Sequence, residues 1–314
     1  MSPVDPADPR IGHFLADARS VPSTAKTVVV LIGVPQDIGV ARNNGRPGAA
    51  EAPSAIRASL KKLATSQIQD VVEQGLLSIV DMGDISTEGK TLEQIHDVQH
   101  DVVKRVVTRG HIPVVLGGGH DCAWPTIRAM ESSGKEYGVV NIDAHADVRP
   151  LQDETRAHSG SPFRQMLSQE SSHLLPGGFV EFGLQGASVS AAHLNYVRDA
   201  GMHVVMLDEI RRENIAFIWD RMYAHAALSQ RTYVSLDMDA FASAYAPGVS
   251  APAADGFTPH EIASCLRTAA ASGSLAAFDV VEVNPHFDVD GRTAKLAATM
   301  INEVLIGLAQ RLRS

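Results

Sequence analysis

A chain of 314 residues with 45% hydrophobic and 20% charged residues builds a large core, which excludes a globally disordered polypeptide. Its 27 Lys and Arg against 36 Asp and Glu give a formal charge of −9, a poor match for nucleic acid or an anionic membrane. Two cysteines exclude a disulfide framework.

Residues 1–24 carry Pro, Asp and Ser without periodicity and read as an N-terminal arm, mobile or docked on a neighbour. Met1 to Ser20 contain no long apolar run, so no secretory signal is expected. The longest apolar stretch, 28–34, falls far short of the roughly 20 residues of a membrane helix, and the expectation is a soluble, cytoplasmic protein. Residues 27–34 (TVVVLIGV) are continuously apolar and β-branched, the pattern of a strand buried on both faces of a parallel sheet. Similar runs recur at 77–80, 112–116, 137–142, 179–184, 203–207, 232–236 and 276–283. Helical patterns lie between and around them, at 53–63, 91–109, 125–132, 191–200, 216–228, 259–271 and 296–312. Eight strands alternating with helices predict one α/β domain over residues 25–314, with a doubly wound, mostly parallel sheet. Ligands of such sheets bind beyond the carboxyl ends of the strands.

Three of those ends carry chemistry. The run 112–116 leads into Gly117-Gly118-Gly119-His120-Asp121, 137–142 into Asp143-Ala144-His145-Ala146-Asp147, and 232–236 into Asp237-Met238-Asp239. Alternate side chains of an extended chain share a face, so Asp143, His145 and Asp147 converge if the segment stays extended. Such a cluster behind a buried strand is costly without a cation. Four aspartates carry a charge that two divalent ions neutralise, and His120 and His145 complete a donor set of oxygen and imidazole without thiolate. That set favours two Mn2+, with Co2+, Fe2+ or Zn2+ as alternatives. Metals about 3.5 Å apart activate a shared water and polarise an electrophile.

Other motifs read as structural. His96 and His100 form an i, i+4 pair on a helix but lack the glutamate of a zinc-protease motif, so packing or surface roles are expected. Asp288-Val289-Asp290-Gly291 lacks the spacing of a calcium loop. The glycines before His120 are not followed by the Lys-Ser/Thr of a phosphate loop. Cys122 and Cys265 read as packing residues.

The GGGHD, NIDAHADVR and SLDMDAF segments, in this order, resemble the ureohydrolase superfamily of arginases, agmatinases and formiminoglutamases, over residues 27–310. The resemblance implies a three-layer α/β/α fold, a dinuclear Mn2+ site and a homo-oligomer, trimer or hexamer. It implies His120, Asp143, Asp147 and Asp237 as ligands of one metal and Asp143, His145, Asp237 and Asp239 as ligands of the other. The segments 39–49, 158–163, 246–252 and 282–296 are similar to the formiminoglutamase branch. That branch implies hydrolysis of N-formimino-L-glutamate to glutamate and formamide, with Asp147 as proton carrier and Glu282 paired with the substrate amidinium. Arg42, Arg46 and Arg149 are the candidates for the two substrate carboxylates. Asn43, Asn44, Ser159 and, more remotely, Gln185 are further candidate contacts. Arginases carry a proton-shuttling histidine immediately before the glycine that corresponds to Gly160. Here Ser159 stands there and His158 one residue earlier, so either His158 swings in or the shuttle is absent. The alternatives are a ureohydrolase releasing urea from a guanidino acid, agmatine or another guanidine, a non-catalytic metal-binding subunit, and a related deacetylase.

Overall fold

The computed structural model describes residues 7–17, 21, 23–169 and 172–314. Nine strands make one sheet: β1 (Leu15–Ala16), β2 (Thr27–Gly33), β3 (Leu77–Asp84), β4 (Ile112–Leu116), β5 (Tyr137–Ile142), β6 (Leu174–Leu184), β7 (His203–Met206), β8 (Thr232–Asp237) and β9 (Leu275–Val281). Their order is β1-β3-β2-β4-β9-β8-β5-β6-β7, and every pairing is parallel. Among the described residues the sheet thus has nine strands where eight are expected. The addition is β1, whose two residues are too short to leave a periodic signal.

Alternation along each strand explains the layers. Val29, Leu31, Val114, Val140 and Val234 face one side and pack on the helices Ala52–Leu60, Ile215–Ala227, Pro259–Ser272 and Arg292–Arg313. Val28, Val30, Ile32, Val115, Val139 and Tyr233 face the other, against Leu92–Thr108, Ala123–Glu131, Pro162–Leu167 and Ala191–Asp199. Both faces are covered, which is why these strands read as unbroken apolar runs and not as alternating ones. The helix Leu92–Thr108 starts where Thr91 and Gln94 cap each other's backbone N–H groups.

Residues 1–6, 18–20 and 22 of the expected arm lie outside the described residues. Its described part packs on its own chain: Ile11 is buried, its N–H donates to the Leu63 carbonyl at 2.9 Å, and β1 pairs with β3. Among the described residues, no helix is long and apolar enough to cross a membrane.

Arg42 sits at the end of a short helix, Ile38–Arg42, and forms an ion pair with Glu93 while donating to the Ala157 carbonyl at 2.9 Å. The guanidinium holds Glu93 down to about 2, well below an ordinary glutamate. A depressed carboxylate pKa contributes stability above the ordinary value that is lost as pH falls toward 2. Glu93 is 46% exposed, so solvent screening limits the pair to about 0.5–1 kcal/mol. Arg42→Ala should therefore lower Tm by about 1–3 °C near neutrality, with the difference shrinking between pH 5 and pH 3. Thermal melts across that range check the sign, and a difference that grows on acidification would refute it.

Candidate active site

The site is built at the carboxyl ends of β4, β9, β8 and β5, four adjacent strands in the middle of the sheet. His120 follows β4 after three glycines, Asp143 follows β5 directly, Asp237 ends β8, and Glu282 follows β9 directly. The glycines are a packing requirement. A Cβ on Gly118 would lie 1.6 Å from the Gln36 carbonyl oxygen, so only glycine lets the β2 exit and the His120 turn approach this closely. Asp147 and Glu282 both adopt left-handed backbone, with φ of 44° and 62°. Non-glycine residues carry such strain chiefly where a functional geometry demands it.

The donor atoms converge. His120, Asp143, Asp147 and Asp237 present one ligand atom each, all within 4.8 Å of one another, and Asp143, His145 and Asp239 form a second such group. The Nδ1 of His120 is 3.2 Å from Asp143 Oδ2, 3.1 Å from Asp147 Oδ2 and 3.0 Å from Asp237 Oδ2. None of these contacts is a hydrogen bond, and Nδ1 has no partner although it is buried. The reason lies behind the ring. His120 Nε2 is 3.0 Å from Ser235 Oγ, and Ser235 spends its own proton on Asp279 Oδ1 at 2.7 Å. Ser235 therefore accepts from the Nε2–H, which turns Nδ1 toward three carboxylate oxygens as a metal-ligating nitrogen would be turned. Three buried carboxylate oxygens gathered around one ring nitrogen need a shared positive charge, which a metal ion supplies. The donor set fits a metal pair on this ground alone.

The ionisation pattern agrees. Burial, followed by the neighbouring Asp239 and Asp143, pushes Asp237 well above the ordinary carboxylate range. Burial likewise raises Asp239 to about 7 and, with Asp237, drives Glu282 upward. His145 is pushed strongly upward by Asp239 against the opposing effect of burial. Carboxylates this crowded share too little positive charge to ionise together, the situation that divalent cations resolve.

Above the donors lies a pocket of about 240 Å³, below the size usual for drug-like ligands. His145, Asp147, Asp237, Asp239 and Glu282 form its floor, and Asn43, Asn44, Arg46, Arg149 and Ser159 line it. Glu282 Oε1 accepts from the His120 backbone N–H at 2.9 Å, while Oε2 is buried without a partner. Among the described residues, neither Arg46 nor Arg149 has a carboxylate partner. Arg46 donates to the Ser250 carbonyl at 2.9 Å, and Arg149 is 3.5 Å from Asn43 Oδ1.

Three candidates are not brought to this pocket. Arg42 is committed to Glu93. His158 is buried with both ring nitrogens engaged: Nε2 lies 3.0 Å from the Pro150 carbonyl, and Nδ1 accepts from the Gly160 N–H at 3.2 Å. It ties the 150–160 loop together and does not face the donors, so this structure gives it no shuttle position. Gln185 lines a separate surface pocket beside Leu207 and Arg212. His96 is packed in the core, 2.8 Å from Asp121 Oδ2, and His100 lies near the surface beside Asp101. Asp288 accepts from the Thr293 and Ala294 N–H groups at the start of the last helix. Cys122 and Cys265 are buried and form no disulfide, and Cys122 Sγ accepts from Gln36 Nε2 at 3.4 Å.

The second layer of the site was not anticipated. Ser235, Asp279 and Tyr233 form a chain of hydroxyls and carboxylate behind His120. Asn141 donates to Glu181 at 2.8 Å and to Asp143 at 3.3 Å. A solitary acid inside the apolar run LAAFDVV was the available signal for Asp279.

A model of the arginase family matches residues 27–307. The chain belongs to the arginase family. It is 34% identical to formimidoylglutamase of Aromatoleum aromaticum over 90% of this chain and 84% of that one. Formimidoylglutamase of Rhodococcus jostii is also 34% identical, over 88% and 84%. Among solved structures, Trypanosoma cruzi formiminoglutamase with Mn2+2 superposes with a TM-score of 0.88 at 34% identity, covering 97% of this chain and 99% of that one. The arginase-like three-layer fold expected from the motifs is thus the observed one.

Proposed function

We propose that this arginase-family protein hydrolyses N-formimino-L-glutamate to L-glutamate and formamide at a dinuclear Mn2+ centre. The observation that carries the reading is the charge layout of one pocket. Two guanidinium groups without carboxylate partners, Arg46 and Arg149, share it with the orphaned Glu282 Oε2, above a cluster of six metal donors. A substrate with two carboxylates and one amidinium has the complementary charges. The naming of the 34% identical relatives as formimidoylglutamases supports the same substrate.

His120, Asp143, Asp147, Asp237, His145 and Asp239 would hold the ions. When bound, the pair supplies an activated water at neutral pH and an electrostatic contact for developing charge. Glu282 binds and orients the amidinium, with its other oxygen fixed by the His120 N–H. Arg46 and Arg149 grip the carboxylates, whose bidentate geometry suits guanidinium. Addition of water to the formimino carbon and rupture of its bond to the glutamate nitrogen release formamide. Asp147, on the pocket floor, carries a proton to the leaving amine, which is a poor leaving group without it. Agmatine fits less well, because its distal ammonium would face Arg46 and Arg149. The reading further places one catalytic domain over residues 25–314, in a cytoplasmic trimer or hexamer.

The test is a side-by-side assay of the Mn2+-loaded protein on formiminoglutamate, arginine, agmatine and 4-guanidinobutyrate. Formamide release from the first is expected. Urea from a guanidino substrate, with formiminoglutamate untouched, would overturn the proposal. Arg149→Ala should raise KM for formiminoglutamate about tenfold with a smaller change in kcat, the mark of binding lost in ground and transition states alike. An unchanged KM removes Arg149 from the carboxylate grip.

A further inference from the structure

Arg46 is held from every side by groups that leave its charge intact. Its Nε donates to the Ser250 carbonyl at 2.9 Å, and Nη2 donates to the Val249 carbonyl. The Phe287 ring lies under the guanidinium, with its centroid 4.1 Å from Cζ. The Arg46 backbone N–H donates to Ser250 Oγ at 2.8 Å. Nη1 alone among its donor nitrogens has no protein partner among the described residues. Neutral carbonyls and an aromatic face orient a guanidinium without neutralising it, and the carboxylate that completes it is left to come from a ligand.

The loop carrying Arg46 is clasped in turn by the exit of β9. Asn284 is fully buried, and its Nδ2 donates to two successive carbonyls, Arg46 at 2.9 Å and Pro47 at 3.1 Å. Its Oδ1 accepts from the His286 N–H at 3.1 Å, and its backbone N–H donates to the Gly248 carbonyl. Gly48, at φ +134°, lies so close that a Cβ there would fall 2.2 Å from Asn284 Oδ1. Glu282 leaves the same strand two residues earlier and faces the opposite charge of the substrate. One short segment therefore sets both ends of the recognition distance: Glu282 directly, and Arg46 through Asn284 and Phe287.

We propose that Asn284 and Phe287 are positioning residues for substrate selection, holding Arg46 at the distance from Glu282 that a dicarboxylic amidine spans. The inference rests on the formiminoglutamate reading and adds to it two residues that need not touch the substrate. The experiment uses the Mn2+-loaded full chain and three substrates. They are formiminoglutamate, formiminoglutamine, which lacks the side-chain carboxylate, and N-formimino-4-aminobutyrate, which lacks the α-carboxylate. Asn284→Ala should raise KM for formiminoglutamate about tenfold, with kcat within about threefold and Mn2+ content unchanged. For the analogue lacking the carboxylate that Arg46 reads, variant and wild type should have equal kcat/KM. Phe287 is exposed, so Phe287→Ala tests the same claim without risk to the fold. It should raise KM about threefold, and Phe287→Tyr should restore it. An equal loss on all three substrates, a loss confined to kcat, or loss of Mn2+ would overturn the proposal. If the wild type instead turns over only a guanidino acid, the substrate reading falls, and the positioning claim is judged on that acid by the same division between KM and kcat.

Discussion

Asp237→Asn should give a folded protein that no longer retains two equivalents of Mn2+ and hydrolyses its substrate at least about 10³-fold more slowly. Asn has the same shape, so the hydrogen bond from the Asp239 N–H to Oδ1, 2.8 Å long, can persist. What disappears is one negative charge from a buried cluster. Burial together with Asp239 and Asp143 already pushes Asp237 well above its ordinary range, so the metal-free variant should be at least as heat-stable as the metal-free wild type. The wild type gains stability when Mn2+ is added, because a ligand bound only by the folded state adds to its free energy. The variant should lose most of that gain. Two measurements check this: metal content after dialysis, and Tm with Mn2+ or with a chelator. Retention of both metal equivalents and of activity would sink the metal-ligand assignment.

Glu282→Gln should behave differently. The substitution leaves all six donors in place, so Mn2+ content is expected to stay near the wild-type level. The Gln side-chain oxygen can still accept from the His120 N–H, as Oε1 does at 2.9 Å. The buried Oε2, now without a partner, would become an amide N–H donor facing a cationic amidinium. Removing a preorganised charge from such a site commonly costs about 10²–10³ in rate, and that loss in kcat/KM is expected here. A loss below about threefold would show that Glu282 does not read the amidinium. Metal analysis of the two variants then separates a residue that builds the centre from one that reads the substrate.

The positions of the six donors were legible because each group sits where an apolar run stops. The segment NIDAHAD announces both the strand and the chemistry at its end. What the sequence hid was orientation. Arg42 and Arg46 stand four residues apart in the sequence and are equivalent on paper. Glu93, on a distant helix, captures the first, whereas carbonyls of the 249–250 loop hold the second. His158 reads as available because the resemblance to arginases implies a histidine at the next position. The bends of the 150–160 loop point it at Pro150 instead. The chain behind His120 was equally hidden. Tyr233 and Ser235 stand on β8, and Asp279 on β9, 44 or more residues away in sequence, meets them only through the register Ser235–Asp279. Strand β1 was missed because two residues carry no period.

The place of β9 in the sheet bears on how the molecule is made. Strands β1, β3, β2 and β4 form one half, β8, β5, β6 and β7 the other, and β9 alone joins them. His120 belongs to the first half, whereas Asp143, Asp147, Asp237 and Asp239 belong to the second. Chains are synthesised from the N-terminus at about 5–20 residues per second, so both halves exist for some seconds before the strand that unites them. A nascent chain that stops short of residue 275 has every proposed metal ligand, yet lacks the strand that brings His120 beside the five donors carried by β5 and β8. Completion of the donor group that contains His120 is therefore a late event, coupled to insertion of a central strand that arrives last.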